Sequence, residues 1–378
     1  MIQSDRMLEE FLRLISFDSE SFCERDTADY LLKTLRELGL TAEEDDADAK
    51  NGMKSPRSAG NVFAVLEETA PGEPILFSAH MDTVKPGIGK RAFVRADGVV
   101  VSDGATVLGA DDAAGIATIL EALRTLLEHN MPHPRLEFLF PAAEEIYGRG
   151  SEVFDYTKLT AKIAYAFDLT EEIGTAALAA PTILSLGIVV TGRSAHAGFN
   201  PEDGINALTA AANALSMIPT GRVSEDTTVN FGTIRGGSVP NAVPGKIEIV
   251  GEVRSMRHEE ALRHADLIRS VFAKEAEKLG ARTDVLIEEK VRAYEIGEDE
   301  EVVRRFVRAA EAVHPASARL TTTLGGSDNN HFAKHGVRGI VLASAMHDVH
   351  TTREYTTVKE MAESAEIALR LMTEVPCL

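Results

Sequence analysis

The sequence predicts an α/β protein interrupted by an inserted α+β domain. Three observations carry that expectation. Short apolar runs alternate with helical patterns up to about residue 184. From about 185 the texture changes to strands of stricter in–out alternation with two helices. After about 292 the first texture returns. Strands alternating with helices indicate an α/β sheet, and a self-contained α+β set inside it reads as an insertion. The expected division is therefore 1–184 with 292–378 as one discontinuous domain, and 185–291 as the insert.

The elements follow in order. Leu8, Phe11, Leu12 and Ile15 recur at helical spacing over residues 5–16, with Ser4 as the expected N-cap. A second helix is predicted over about 25–38, with Leu31, Leu32, Leu35 and Leu38 apolar and Gly39 as the stop. The acidic, then Gly/Ser/Pro-bearing segment 43–60 reads as a loop. The runs "NVFAVL", "PILFSAH", "RLEFLF" and "IAYAFD" read as strands, several apolar on both faces as covered central strands are. Between them Ile116, Leu120, Leu123 and Leu127 form one stripe of a helix over about 112–129. In the insert, "LSLGIVVTG", "TTVNFGTI" and "GKIEIVGEVRS" read as strands, followed by helices near 204–217 and 258–279 and a strand at 283–290. A helix, the strand "RGIVLA" and a final helix near 357–373 close the chain.

Bulk properties bound the function. The 378 residues carry 39 basic and 59 acidic side chains, a net charge of −20, which argues against nucleic acid or an anionic membrane as partner. Cys23 and Cys377 form no disulfide framework and no zinc knuckle, so free thiols in a reducing cytoplasm are expected. No signal-peptide pattern and no run long enough to span a membrane is seen.

The chemistry gathers at the ends of the predicted strands, where ligands bind in open α/β sheets. "LFSAHMD" supplies His80 and Asp82, "VLGADDAAG" supplies Asp111 and Asp112, and "LFPAAEE" supplies Glu144 and Glu145. "AYAFD" supplies Asp168, and "ASAMHDVHTTRE" supplies His347, His350 and Glu354. Imidazole with carboxylate suits zinc, manganese or cobalt, and no thiolate is present. The surplus of carboxylates suits two cations sharing a bridging anion. Each residue also has a plainer explanation. Asp111 and Asp112 stand where a helix start favours acid, with Asp112 as a cap. A histidine at a strand end is commonly a satisfied polar group, and His347 and His350 compete for one role. The adjacent Glu144 and Glu145 would repel each other unless a cation neutralises one of them.

The ordered set HMD, GADDAAG, EE, Asp168 and a late His with Glu four residues on resembles the M20 metallopeptidases, and most their peptidase T-like branch. That resemblance implies a zinc-peptidase-like catalytic domain, a mixed sheet flanked by helices, with an inserted α+β lid and dimerisation domain. It implies two divalent ions per subunit, zinc or else manganese or cobalt. His80 and Asp168 would hold one, Glu145 and His350 the other, and Asp111 would bridge them. Asp82 would orient His80, and Glu144 would be the general base that activates a metal-bridging water. Within "GRSAHAGFNPEDGINA", His196 would stabilise the oxyanion in the partner subunit. Asn241 and Arg254 would face the substrate, Arg254 gripping its carboxylate; a surface charge is the other reading of that arginine. Gly325 and Gly326 in "LGGSDNNHF" would form a substrate wall, or simply a turn before a helix. The implied activity is hydrolysis of short peptides, an aminopeptidase on tripeptides in a homodimer. The alternatives are an N-acyl amino acid amidohydrolase or carboxypeptidase of the same family, and a catalytically silent metal-binding protein. A nucleotide-binding role finds no GxxxxGK[ST] motif and no convincing glycine-rich fingerprint.

Overall fold

The computed structural model describes residues 1–53, 55–315 and 318–373; the expected thiol Cys377 lies outside them. The chain divides into two units. The first comprises Met1–Ala179, Glu295–Thr323 and the chain from Ser327 on, the second Ala180–Tyr294 with Leu324–Gly326. The boundaries expected at 184/185 and 291/292 thus move outward. The strand Thr182–Thr191 pairs along its whole length with Lys246–Ser255, so it belongs entirely to the second unit. Leu324–Gly326, expected in the catalytic domain, also groups with the second unit.

The first unit is built on an eight-stranded mixed sheet. Its order is Thr41–Glu44, Val62–Leu66, Leu136–Phe140, Ile75–Ser78, Ile163–Leu169, Arg338–Ala343, Thr175–Ala177 and Arg319–Thr321. The four central strands, from Leu136–Phe140 to Arg338–Ala343, are mutually parallel. Apart from exposed Arg338 and half-buried Asp168 their residues are buried on both faces, as their apolar runs require. Phe77 sits at the middle of the core, 5.9 Å from Phe138, 5.7 Å from Tyr165 and 6.5 Å from Phe167 between ring centroids. The Glu137 that interrupts one run is fully buried and satisfied. Arg135 Nε donates to it at 2.9 Å, the Thr160 hydroxyl at 2.6 Å, and the Thr160 and Ala161 amides also donate. The helices Ser4–Ile15 and Val358–Thr373 pack on the long helix Ala110–Glu128; of its expected stripe Ile116, Leu120 and Leu123 are buried and Leu127 is half-buried, and the helix is enclosed on its other faces as well.

Three local expectations change. The first helix starts at Ser4, so the cap position is Gln3, and the Gln3 amide is met at 2.7 Å by the Glu121 carboxylate from another helix. The segment 43–60 contains the end of the edge strand Thr41–Glu44 and the one-turn helix Ala47–Lys50. A three-stranded sheet of Ala92–Val94, Val99–Ser102 and Tyr355–Thr357 was not expected, because none of its strands exceeds four residues and one lies over 250 residues from the others.

The second unit is a five-stranded antiparallel sheet, ordered Gly221–Ser224, Thr227–Gly236, Lys246–Ser255, Thr182–Thr191 and Arg282–Val291. The helices Ala207–Met217 and His258–Lys278 cover one face. Leu184, Leu186, Ile188 and Val190 point into that core, while the residues between them are half-buried. Period-two alternation follows because only one face is covered.

Candidate metal centre and active site

The carboxyl ends of the four parallel strands deliver the chemistry. His80 lies just past Ile75–Ser78, and Glu144 and Glu145 just past Leu136–Phe140. Asp168 is the last residue but one of Ile163–Leu169, and His350 lies in the loop after Arg338–Ala343. Asp111 comes from the start of the helix Ala110–Glu128, where it and Asp112 leave helical geometry, so the regular helix begins one turn later than its first residue.

Asp111 sits at the centre. Its Oδ1 is 2.9 Å from His80 Nε2 and its Oδ2 is 3.1 Å from His350 Nε2. His350 Nε2 is also 3.0 Å from Glu145 Oε2, and His80 Nε2 is 3.9 Å from Asp168 Oδ1. Two potential ligand sets result, His80–Asp111–Asp168 and Asp111–Glu145–His350, each with donor atoms within 4.8 Å of one another. All five residues expected to bind metal therefore converge, with Asp111 common to both sets. His347 goes elsewhere. Its Nε2 is 2.9 Å from Glu360 and its ring stacks on Tyr355 at 4.6 Å.

The electrostatics fit cations at this place. Burial, and then the charge of Asp111, pushes the Glu145 carboxyl above its usual range. Burial does the same to Asp168, with Asp111 and Glu145 adding to it. His350 is pushed up to about 10 by its contacts with Asp111 and then Glu145. Glu145 Oε1 is buried with no hydrogen-bond partner. A crowd of buried carboxylates with an orphaned oxygen is costly unless positive charge joins it. The residues present therefore fit divalent metal ions.

A surrounding layer of acids, each named from the sequence, holds the backbone of this centre through amides the sequence did not reveal. The His80 ring is oriented by Asp82, but chiefly through the main chain: Nδ1 is 2.9 Å from the Asp82 carbonyl and 3.4 Å from its carboxylate. The Asp82 carboxylate instead accepts the amides of Glu144 at 2.8 Å and Glu145 at 3.2 Å, and the Ser21 hydroxyl at 2.7 Å. Asp112 accepts the Gly115 amide at 3.1 Å, as a cap would, and also the His80 amide at 3.2 Å. Glu354 accepts the amides of Gly109 at 2.8 Å and Asp111 at 2.9 Å. Its four-residue spacing from His350 singled this glutamate out in the sequence, though not the amides it holds. The Glu144 carboxyl group has no hydrogen-bond partner among the described residues, and burial and then Asp168 push it well above the usual carboxylate range. The backbone is unusual here: Ala143, Tyr147 and His350 all have positive φ, of 56°, 76° and 60°.

The second unit carries the other five expected residues. His196 is exposed; its Nδ1 accepts the amides of Gly198 at 3.1 Å and Phe199 at 3.2 Å, and its ring stacks on Phe199 at 4.2 Å. The Asn241 carbonyl accepts the Ala197 amide at 2.9 Å, so Asn241 and the His196 segment share one local structure. Arg254 is paired rather than free. It grips Glu252 with Nε at 2.8 Å and Nη2 at 3.2 Å, and donates from Nη1 to the Leu324 carbonyl at 3.0 Å, beside Gly325 and Gly326.

A parallel-strand edge that focuses imidazoles and carboxylates on a shared aspartate defines a metal-dependent hydrolase. Comparison with known proteins narrows the class. Residues 179–279 match the M20 peptidase dimerisation domain and residues 61–184 match peptidase family M28. The chain is 36% identical to an aminopeptidase PepT of Bacillus cereus, with 98% of each chain covered and a TM-score of 0.89. It is 30% identical to a tripeptidase of Staphylococcus aureus, covering 99% of this chain and 98% of that one with a TM-score of 0.93. An uncharacterised Bacillus subtilis protein, YqjE, is 35% identical over 99% of each chain. The chain belongs to the M20 metallopeptidases, in their peptidase T-like branch. No described helix is long and apolar enough to cross a membrane.

Proposed function

We propose that this metallopeptidase is an aminopeptidase acting on tripeptides. The metal-dependent chemistry rests on Asp111, with one carboxylate oxygen toward each histidine, and the tripeptide substrate on the likeness to an aminopeptidase PepT and a tripeptidase. His80 and Asp168 would hold one divalent ion, Glu145 and His350 the other, with Asp111 between them. Zinc, manganese and cobalt all suit this donor set, and zinc is the ion we propose. Bound there, such ions supply Lewis acidity to the scissile carbonyl and lower the pKa of water.

The chain's own groups do the rest. Glu144 belongs to neither ligand set and has no hydrogen bond to its carboxyl group among the described residues, which leaves it free to move a proton. It would accept one from the attacking water and deliver it to the departing amine. Asp82 holds the amides of Glu144 and Glu145, keeping base and ligand at a set separation. We assign catalysis to the first unit, and lid and dimer contacts to the second, which matches a peptidase dimerisation domain. His196 would serve as an oxyanion donor across a homodimer, its Nδ1 engaged by two amides so that Nε2 carries the proton. Asn241, Gly325 and Gly326 would border the peptide, and Arg254 would bind a substrate carboxylate only by giving up Glu252. A reducing, cytoplasmic setting fits the free thiol of Cys23.

The test couples metal analysis to hydrolysis of a free tripeptide and its N-blocked form, before and after chelation. Turnover of the free peptide alone, abolished by chelation, is expected. Preferential cleavage of the blocked form would move the enzyme to the amidohydrolases.

A further inference from the structure

Glu24, near the start of the second helix, is fully buried and is used by none of the chemistry above. Its Oε1 accepts the Phe22 amide at 2.7 Å and the Ala143 amide at 3.1 Å, and its Oε2 is buried with no hydrogen-bond partner. Burial, and then the nearby charge of Asp82, pushes this carboxyl up to about 8. A buried acid in such a position lowers stability, so its retention calls for a reason.

The reason lies in what it holds. Ala143 has a φ of 56°, a conformation an alanine adopts only under constraint. The amides of Ala143, Glu144 and Glu145 are consecutive, and each ends on a carboxylate oxygen: the first on Glu24, the next two on Asp82. Glu24 arrives from the N-terminal region and Asp82 from the loop after Ile75–Ser78, so two separate segments fix one turn. We propose that Glu24 is a positioning residue for Glu144, holding the left-handed Ala143 that aims the glutamate pair. This rests on the reading of Glu144 as the base.

The full chain, loaded with metal, is compared with Glu24→Gln, Glu24→Asp and Glu24→Ala. The readouts are kcat and KM on a free tripeptide, metal per chain, and amide hydrogen exchange across 140–147. Alanine removes the acceptor, and aspartate withdraws it by one methylene. Both should lower kcat by about 10–100-fold, the scale of a small misplacement of a catalytic group, with KM within about threefold and metal content intact. Exchange across the segment should quicken. Glutamine keeps an oxygen acceptor and should restore kcat to within a few-fold. Should alanine prevent folding, the aspartate variant carries the comparison. Unchanged kcat in a variant whose exchange has quickened would overturn the proposal, as would glutamine as slow as alanine. Failure of the base reading looks different: Glu144→Gln stays active while the Glu24 variants still loosen the segment.

Discussion

At the scale of single residues, adjacency in sequence hides a division of labour. Glu144 and Glu145 differ by one position, yet only Glu145 reaches His350. Replacing Glu144 with glutamine should lower kcat by about 10²–10⁴-fold, the usual share of general acid–base catalysis, with metal content unchanged by elemental analysis. The two late histidines separate as cleanly. His350→Ala should lose metal from one of the two sets, measured as a fall in bound metal per chain. His347→Ala should keep metal and activity, and lose only about 0.5–1 kcal/mol of stability from its partly exposed pair with Glu360. That pair also sets a pH dependence. Glu360 chiefly raises His347 above 6.5, so the histidine's contribution is full below 6.5 and fades as pH rises through the raised value. His347 chiefly lowers Glu360 below 4.5, so that contribution is full above 4.5 and fades as pH falls through the lowered value. The stability difference between wild type and His347→Ala should therefore peak between 4.5 and 6.5 in denaturant titrations.

At the scale of elements, helix periodicity and apolar strands were legible, and polar contacts between elements were not. The helices themselves could be read from their periodicity, but not their buried faces: Ser4–Ile15 buries Met7, Phe11, Leu14 and Ile15 while the expected Leu8 and Leu12 stay half-buried, and Ala110–Glu128 is buried almost all round. What joins these two helices could not be read. Arg6 Nε donates to the fully buried Glu121 at 2.7 Å and its Nη2 at 3.0 Å, and Glu121 also receives the Gln3 amide. Arg6→Ala leaves that carboxylate with the Gln3 amide and the Thr125 hydroxyl. It should cost ~1.5–3 kcal/mol, the worth of hydrogen bonds to a charged group, seen as a lower urea midpoint with an unchanged slope. The same limit applies at the active site. Asp82, Asp112 and Glu354 act on backbone amides of segments far from them in sequence, and an amide carries no sequence signature of its partner.

At the scale of the whole molecule, the proposed metal centre ties stability to activity. The carboxylates around Asp111 lie close together and burial raises several of them, so ions that bind the folded chain should stabilise it. Chelation is expected to lower Tm and abolish peptide hydrolysis together. Restoring metal should raise Tm progressively, by about 2.7 kcal/mol of added stability at a hundredfold excess over Kd. Scanning calorimetry across a metal series measures this directly. A Tm indifferent to metal would deny the centre its part in holding the first unit together.

Residue types and their order were enough to point to the α/β class, the inserted α+β unit and one sheet edge crowded with candidate ligands, since strand ends in a parallel sheet gather at one edge. Position at a recognisable element listed His80, Asp111, Asp112, Glu144, Glu145, Asp168, His347 and His350 as candidates, and the family resemblance chose five ligands among them. Only the folded structure decided that Asp111 divides its two oxygens between two histidines, that Arg254 is held by Glu252, and that Glu24 meets Ala143. Those are contacts between segments distant in the chain or choices of rotamer. Local pattern reports burial and periodicity, whereas hydrogen-bond partners are selected by geometry that exists only once the sheet has assembled.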